Sequence, residues 1–287
     1  MPASCLFRGQ QLLNKPITAR DTGAILGYVH DIVFDQDQNQ VLAFLVDPRW
    51  RIEARMLPWS GIHLVTTEGI QAHNAAMLTE GVNLLAVRRV FERENIRRGT
   101  RLILRDGRSL GLMQDIYFDG HGVMEGYATV TTAAGPGRTE QFVPAPRSVR
   151  VMEKRAILPH DHARLMEENP AARRRLANSL RLLAQDLWRN YAWQAADLAN
   201  EQAREAAVEG LVDRLAENAL HLVEGCRVQH TVLATDGRIA AIAGQIVTAR
   251  GIERARSCDR AREVLVAAGA DPLGALRDAI DGDGALA

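Results

Sequence analysis

The chain has 287 residues, 47% of them hydrophobic, and its 35 basic and 35 acidic side chains cancel to no net charge. That length and apolar content suffice for two or three folded domains, and the zero balance excludes bulk attraction to nucleic acid or an anionic membrane. The three cysteines, Cys5, Cys226 and Cys258, form no C-x-x-C pair. So sparse and odd a set argues against a disulfide framework.

Taken in order, the chain first shows short strands. Pro16, in the stretch Leu12 to Asp21, fits an edge or the start of a strand. Asp21-Thr-Gly23 makes a tight turn. After it comes Gly23-Ala-Ile-Leu-Gly27-Tyr-Val-His-Asp31-Ile32-Val-Phe34-Asp35, whose apolar residues alternate as in a strand with one buried face. Gly27 lies inside that strand and marks a bulge, a bend or the close approach of another backbone. Asp35-Gln-Asp-Gln-Asn39 is the next turn, and Val41–Val46 reads as a strand covered on both faces.

Asp47–Arg55 then breaks the pattern with a proline, Trp50 and the arginines Arg49, Arg51 and Arg55. An exposed aromatic with arginines is the chemistry enriched at protein interfaces; the alternative is that Trp50 folds back over the strands and the arginines are solvated. Strands resume at Met56–Trp59 and Ile62–Ala72. The join beyond Met77 interleaves Arg88, Arg89, Arg93, Arg97 and Arg98 with Glu92 and Glu94, which fits a solvated, salt-bridged surface better than a nucleic-acid stripe.

The motif then recurs 84 residues on, as Gly107-Arg-Ser-Leu-Gly111-Leu-Met-Gln-Asp115-Ile116-Tyr-Phe118-Asp119. Both copies fit G-x3-G-x3-D-I-x-F-D. Arg20-Asp21 and Arg105-Asp106 precede them, and Leu57-Pro58 and Val143-Pro144 follow. A fixed-spacing match of this kind means two homologous small modules. Thr131–Thr139, rich in Gly and Pro, is a loop excursion where the first copy has its Trp50 loop.

From Pro159 the apolar period changes to that of a helix. Pro170 opens a long one, with Leu176, Leu180, Leu183, Leu187, Tyr191, Gln194 and Leu198 on one face, continued by Val208, Leu211, Leu215, Ala219 and Leu222 after a break near Glu209-Gly210. That stripe needs a partner: a second copy of the chain, the strand modules or another protein. Trp188 and Trp193 lie off it and favour a further contact. Arg173-Arg174-Arg175 opposes the helix dipole at its end of the helix, and is either a site for an acidic partner or a solvated face. Residues 225–280 read as a small hairpin-plus-helices module. Thr235-Asp236-Gly237 is the turn, Gly244–Thr248 a short strand, Thr248 a helix cap, and Val264–Ala268 part of a helix.

The paired motif, its glycines Gly23, Gly27, Gly107 and Gly111, and the conserved-spacing Asp31, Phe34, Asp35, Asp115, Phe118 and Asp119 resemble the PRC-barrel domain. This is the small β-barrel of the photosynthetic reaction-centre H subunit and of RimM-type ribosome maturation factors. The resemblance implies an α+β chain: two small antiparallel PRC-type β-barrels (residues 5–90 and 91–160), a helical segment (161–224) and the C-terminal module (225–280). It implies a protein-binding adaptor in assembly, at a photosynthetic or other membrane-protein complex. The alternative it offers is a RimM-like ribosome-associated factor contacting a ribosomal protein, which the missing basic surplus and the absence of that family's N-terminal domain disfavour.

Little else on the chain reads as chemistry. Within each copy the two aspartates stand at i and i+4 of a strand, about 13 Å apart at strand rise, too far to share a proton. Asp35 and Asp119 precede turns and read as turn acceptors. No Ser-His-Asp order, nucleophile motif, P-loop or nicotinamide fingerprint is present, and Gly135-Pro-Gly137 lacks the helix and third glycine of a dinucleotide site. His160-Asp161-His162 is the nearest approach to a metal-ligand set. We therefore expect no enzyme, no cofactor and no metal. A protein partner and self-association through the helical segment are expected instead. Without a run of about 20 apolar residues or a recognisable signal peptide, the expected location is cytoplasmic, peripheral to a membrane at most, with no direct insertion.

Overall fold

The computed structural model describes residues 4–47, 52–131, 139–196 and 201–284. They form two compact units, one from residues 6–166 and 235–238, the other from residues 4–5, 167–234 and 239–284. The Trp50 loop, with Arg49 and Arg51, and most of the Gly-rich 131–139 excursion lie outside the described residues.

The first unit begins with β1 (Leu6–Arg8), the short α1 (Gly9–Leu12), β2 (Pro16–Ala19), β3 (Ile25–Tyr28), β4 (Asp31–Asp35), β5 (Gln40–Leu45), β6 (Arg55–Pro58), β7 (Ile62–Thr66), β8 (Gly69–Ala72) and β9 (Thr79–Glu80). Helix α2 (Leu85–Phe91) leads into β10 (Arg101–Leu104), β11 (Ser109–Asp119), β12 (Met124–Thr131), β13 (Thr139–Pro144), β14 (Arg150–Met152) and β15 (Arg155–Leu158). In the first module the strands pair in two sheets, β3-β2-β8-β7 and β4-β5-β6-β9.

The second module repeats these pairings. Strand β2 runs antiparallel to β3 and parallel to β8, as β10 does to β11 and β15. The register shifts fall at matching places, after Ile17 and after Leu102, and again between Val33/Phe34 and between Tyr117/Phe118. Gly27 and Gly111 hold positive φ (155° and 102°). A Cβ on Gly27 would meet Val46, and one on Gly111 would lie 2.8 Å from the carbonyl oxygen of Val130, the residue 84 beyond Val46. The repeated strand glycine thus marks the close approach of a crossing strand. Pro16, the first residue of β2, stands where a missing N–H costs no ladder bond.

The expected boundary at residue 90 crosses one continuous core. Phe7, Phe44 and Phe118 stack around Trp59, with ring centroids 5.8–6.4 Å apart, and Leu12, Ile17, Leu57, Leu102, Tyr127 and Leu158 close the same cluster. Strand alternation splits β4 and β5 between two layers. Phe34 and Phe44 face this core, while Val33, Ala43 and Leu45 pack with Val87 and Val90 of α2. The strand 41–46 is covered on both faces, as its unbroken apolar run requires.

The second unit holds α3 (Pro170–Ala196), α4 (Glu201–Ala219), the hairpin strands β16 (Val232–Leu233) and β17 (Ile239–Ala241), α5 (Ala249–Ser257), α6 (Ala261–Ala267) and α7 (Pro272–Gly284). Three expectations change here. The helical stripe finds its partner inside the chain: Leu176, Leu180 and Ala184 share one core with Leu211, Leu215, Val264, Leu265 and Leu276. Helical segment and C-terminal module are therefore one body, with Leu183, Leu187 and Tyr191 of the stripe packed half-buried against the same core. Helix α4 runs unbroken through Glu209-Gly210. Trp188 packs half-buried against the same core instead of standing off it, and nothing is described of the Trp193 side chain.

The basic run is partly used locally. Arg173 pairs with Glu168 at 2.8 Å and Arg175 donates to the Glu224 carbonyl at 3.4 Å. Gly244–Thr248 forms a single bridge, Arg227 to Ile246, in place of a strand. Thr248 caps α5, its Oγ1 accepting from Gly251 N–H at 3.2 Å. The expected absence of a disulfide is also overturned: Cys5 and Cys258, 253 residues apart, are bonded within this unit, and Cys226 is free and buried. Pairing over such a distance in sequence depends on the fold and leaves no spacing signature. Disulfides persist best in oxidising compartments, so the cytoplasmic expectation gains nothing from it. No described helix is long and apolar enough to cross a membrane.

Candidate functional site

The two copies of the motif meet at one cavity of about 410 Å³ in the strand unit. Its walls include residues at matching positions of both copies: His30 and Gln114, Asp31 and Asp115, Ile32 and Ile116. The rest of the wall comes from Phe34 and Met113 of the motif strands and from the opening segments of each module, Gly9-Gln10 with Leu13 on one side and Ile96-Arg97-Arg98 on the other. Asp31 and Asp115 therefore face a common space.

Asp35 and Asp119 close the motif strands and hold the turn that follows, as their place before it leads one to expect. Asp35 Oδ1 accepts from the N–H groups of Asp37 (2.9 Å) and Gln38 (3.3 Å), and Asp119 Oδ1 from those of His121 (2.8 Å) and Val123 (2.9 Å). Arg93 adds an ion pair to Asp35 at 2.6 Å and another to Asp37, and its partners hold the Asp35 carboxyl below its ordinary value against the effect of burial. Phe34 and Phe118 are core residues, and Gly23 and Gly107 (φ 70° and 89°) make the turns before the motif.

The matching aspartates Asp31 and Asp115 are in unlike settings. Asp115 is buried and fully engaged. It accepts from Ile116 N–H at 2.8 Å, from Gln10 N–H at 3.1 Å and from Arg8 Nε at 2.9 Å. Gly9 permits this: a Cβ there would lie 2.7 Å from Asp115 Oδ1 and 3.1 Å from both Ile32 and Ile116. Arg8 also reaches Glu140 at 2.9 Å, and Tyr117 donates its hydroxyl to the same carboxylate at 3.2 Å. Burial nevertheless pushes the Asp115 carboxyl above its ordinary value, and these bonds offset it only in part. Asp31 accepts from Ile32 N–H at 2.8 Å and is otherwise open at the cavity mouth, where desolvation raises its carboxyl against the pull of Arg97 and Arg98.

Of the expected partner contacts, only Arg55 is both described and exposed; it pairs with Asp47 at 3.6 Å. His162 is buried, and burial lowers its imidazole below the ordinary value against the raising effect of its bond to the Pro144 carbonyl. Among the described residues no group of three or more His, Cys, Asp or Glu side chains is placed to hold a metal.

A second surface stands out on the first module. Cross-strand register lines up Ile25, Thr18, Gln71 and Leu64 in one row across β3-β2-β8-β7. Their neighbours Ile17, Ile70 and Val65 are buried, so the row lies on the outer face. Ile25 and Leu64 are 60% and 52% exposed, and Tyr28 is 48% exposed. Sequence reasoning missed this row because edge alternation in β7 was read only as a strand. It also missed Arg8, Gly9 and Gln10, which carry no motif.

Residues 6–74 match the family model of the PRC-barrel domain. That match lies within the first module; the second repeats its strand pairings and register shifts. No curated protein matches the chain.

Proposed function

We propose that the chain is a non-enzymatic adaptor that binds a protein partner through its first module, in the assembly or organisation of a membrane-protein complex. The PRC-barrel match supports the general role. The observation that carries the reading is the outer row of the first module's four-stranded sheet, where Ile25 and Leu64 are held exposed on either side of Thr18 and Gln71, with exposed Tyr28 on the same strand as Ile25; it supports a protein-binding face there. The motif carboxylates support the absence of catalysis. Asp35, Asp115 and Asp119 are each committed to backbone N–H groups or arginine, and none forms a nucleophile–base pair with a neighbour. In this reading the second module is also a PRC-type barrel, and the site of action is cytoplasmic, at the surface of a membrane complex.

The test is capture of partners from membrane and ribosome fractions of the native lysate, with the wild-type chain and with Ile25→Asp/Leu64→Asp. Recovery of membrane-complex subunits by the wild type and their loss in the double variant, at unchanged melting temperature, supports the proposal. Recovery of ribosomal proteins, or capture indifferent to the double substitution, overturns it.

A further inference from the structure

We propose that the outer face of the second module's sheet docks an extended acidic segment of a protein partner, with the pattern acidic-x-apolar-x-acidic. This adds a contact face on the other module, and stands whether or not the Ile25–Leu64 face binds. Leu102, Leu104, Ala156 and Leu158 point into the core, so the residues alternating with them on β10 and β15 point outward. Register sets these in rows. Arg101 stands opposite Arg155; Ile103 stands opposite Ile157, which faces Arg150 of β14. Arg105, two residues beyond Ile103, donates its N–H to the Leu158 carbonyl at 3.1 Å. Arg105 and Arg150 flank a groove of about 300 Å³ whose walls include Val149 and Ile157. All four arginines are exposed, and among the described residues none of them has an ion pair or a side-chain hydrogen bond. The neighbouring acids lie at the ends of the face. At the turn between β14 and β15 the Glu94 carboxylate accepts from Glu153 N–H at 2.9 Å, beside Lys154. At the other end Asp106 accepts from Arg108 N–H and lies 3.7 Å from His160. The arginines outnumber these carboxylates, so the face is cationic.

Arg101 and Arg155 are directly opposite on adjacent strands, and like charges so placed destabilise a sheet left uncovered. The fold does not demand them. Register puts Pro16, Gly69 and Leu64 of the first module where Arg101, Arg155 and Arg150 stand in the second. Spacing and depth name the occupant. Rows on one face of a strand recur every two residues, roughly 6.8 Å, and the same-face side chains of an extended segment share that spacing. A segment laid along β10 sets one carboxylate by Arg101 and Arg155, an apolar residue over Ile103 and Ile157, and a second carboxylate by Arg105. A membrane surface fits less well, because Ile103 and Ile157 are half-buried and recessed behind the exposed arginines, whereas insertion needs the apolar side chains foremost. These rows also hold no aromatic ring on which the bases of a single strand would stack.

The experiment is fluorescence anisotropy on the full chain at low salt, with the labelled peptide Thr-Thr-Glu-Thr-Val-Thr-Glu-Thr-Thr and with its counterparts carrying Gln or Lys in place of both Glu. The wild type is expected to bind the Glu peptide saturably and at least about fivefold more tightly than the Gln peptide, the scale of two exposed charge pairs, with the Lys peptide weaker still. Arg155→Glu should lose that preference yet melt no lower than the wild type, since it turns a like-charge pair into an opposite one. Arg155→Lys should keep the preference, and so should Ile25→Asp/Leu64→Asp, which separates this face from the one on the first module. No saturable binding of the Glu peptide, equal binding of the Gln peptide, a preference unchanged in Arg155→Glu, or its loss in Ile25→Asp/Leu64→Asp overturns the proposal. Tighter binding of phosphatidylglycerol vesicles or of a single-stranded oligonucleotide than of the Glu peptide, lost in Arg155→Glu, overturns it as well. If Arg155→Glu does not fold, Arg150→Glu decides by the same loss of preference.

Discussion

Replacing the motif aspartate by alanine should cost far more in the second copy than in the first. At Asp115 the change removes the acceptor for two backbone N–H groups, Ile116 and Gln10, and for Arg8 Nε. Each orphaned buried N–H costs about 1–3 kcal/mol, and a charge-assisted bond contributes about 1.5–3 kcal/mol. The arginine part is discounted, because Arg8 is 28% exposed and keeps Glu140 as a partner. Against these losses stands the relief of a carboxylate whose burial is its largest perturbation. The net expectation for Asp115→Ala is about 3 kcal/mol, a fall in melting temperature of roughly 6–12 °C for a unit of this size. Asp31→Ala removes a single N–H acceptor at an open cavity mouth and should stay within about 1 kcal/mol.

Thermal and urea melts of the wild type and both variants at pH 7 make the comparison. Equal costs, or an Asp115→Ala cost below about 0.5 kcal/mol, would refute the claim that only the second copy is locked. The same carboxyl gives a pH signature. Its folded pKa lies above the ordinary 3.8, so the fold holds a proton that the unfolded chain has released. The proton-linked part of its contribution is fully present below 3.8 and is lost as pH rises through the folded value, while its hydrogen bonds persist at pH 7. Asp115→Asn should remove that dependence.

Asp35 has the opposite sign: its folded pKa is lowered, so its contribution is present above 3.8 and lost as pH falls through the folded value, and Arg93→Ala should weaken that acid transition in a pH-resolved melt. His162 is also lowered, by burial; its contribution holds above 6.5 and declines as pH falls through the folded value, and His162→Gln should flatten the stability curve in that window. Reduction of Cys5–Cys258 should destabilise the second unit by about 2–5 kcal/mol, with reduced wild type and Cys5→Ser melting together; a reductant without effect on the wild-type melt would refute it.

The repeat was the most legible feature of the chain, because turn glycines, strand alternation and a fixed spacing are all local signals. Those signals also carried the turn role of Asp35 and Asp119, the cap at Thr248 and the strand start at Pro16. What they could not carry was anything set by distance in sequence. The lock on Asp115 comes from Arg8 and Gln10, more than 100 positions away and without a motif of their own. The stripe on α3 announced a partner but not which one, since an apolar face is the same whether its cover lies 40 residues on or in another molecule. The meeting of Asp31 and Asp115 at one cavity was equally out of reach, because a strand's own pattern does not say which other segment its residues face.

The lead-in segments have a consequence for how such a molecule can arise and diverge. Strand β1 opens the first module but pairs with β11 of the second, and Arg93 and Ile96 open the second but bond to Asp35 and Gln36 of the first. Each copy borrows its opening segment from the other. Separate one-module chains could reproduce this exchange only as a dimer, and every change in one half would then appear in both. Joining the copies in one polypeptide lifts that constraint. One half can keep its aspartate locked as a structural pin while the other gives up the lock and leaves an opening, which is the division of labour that Asp115 and Asp31 display.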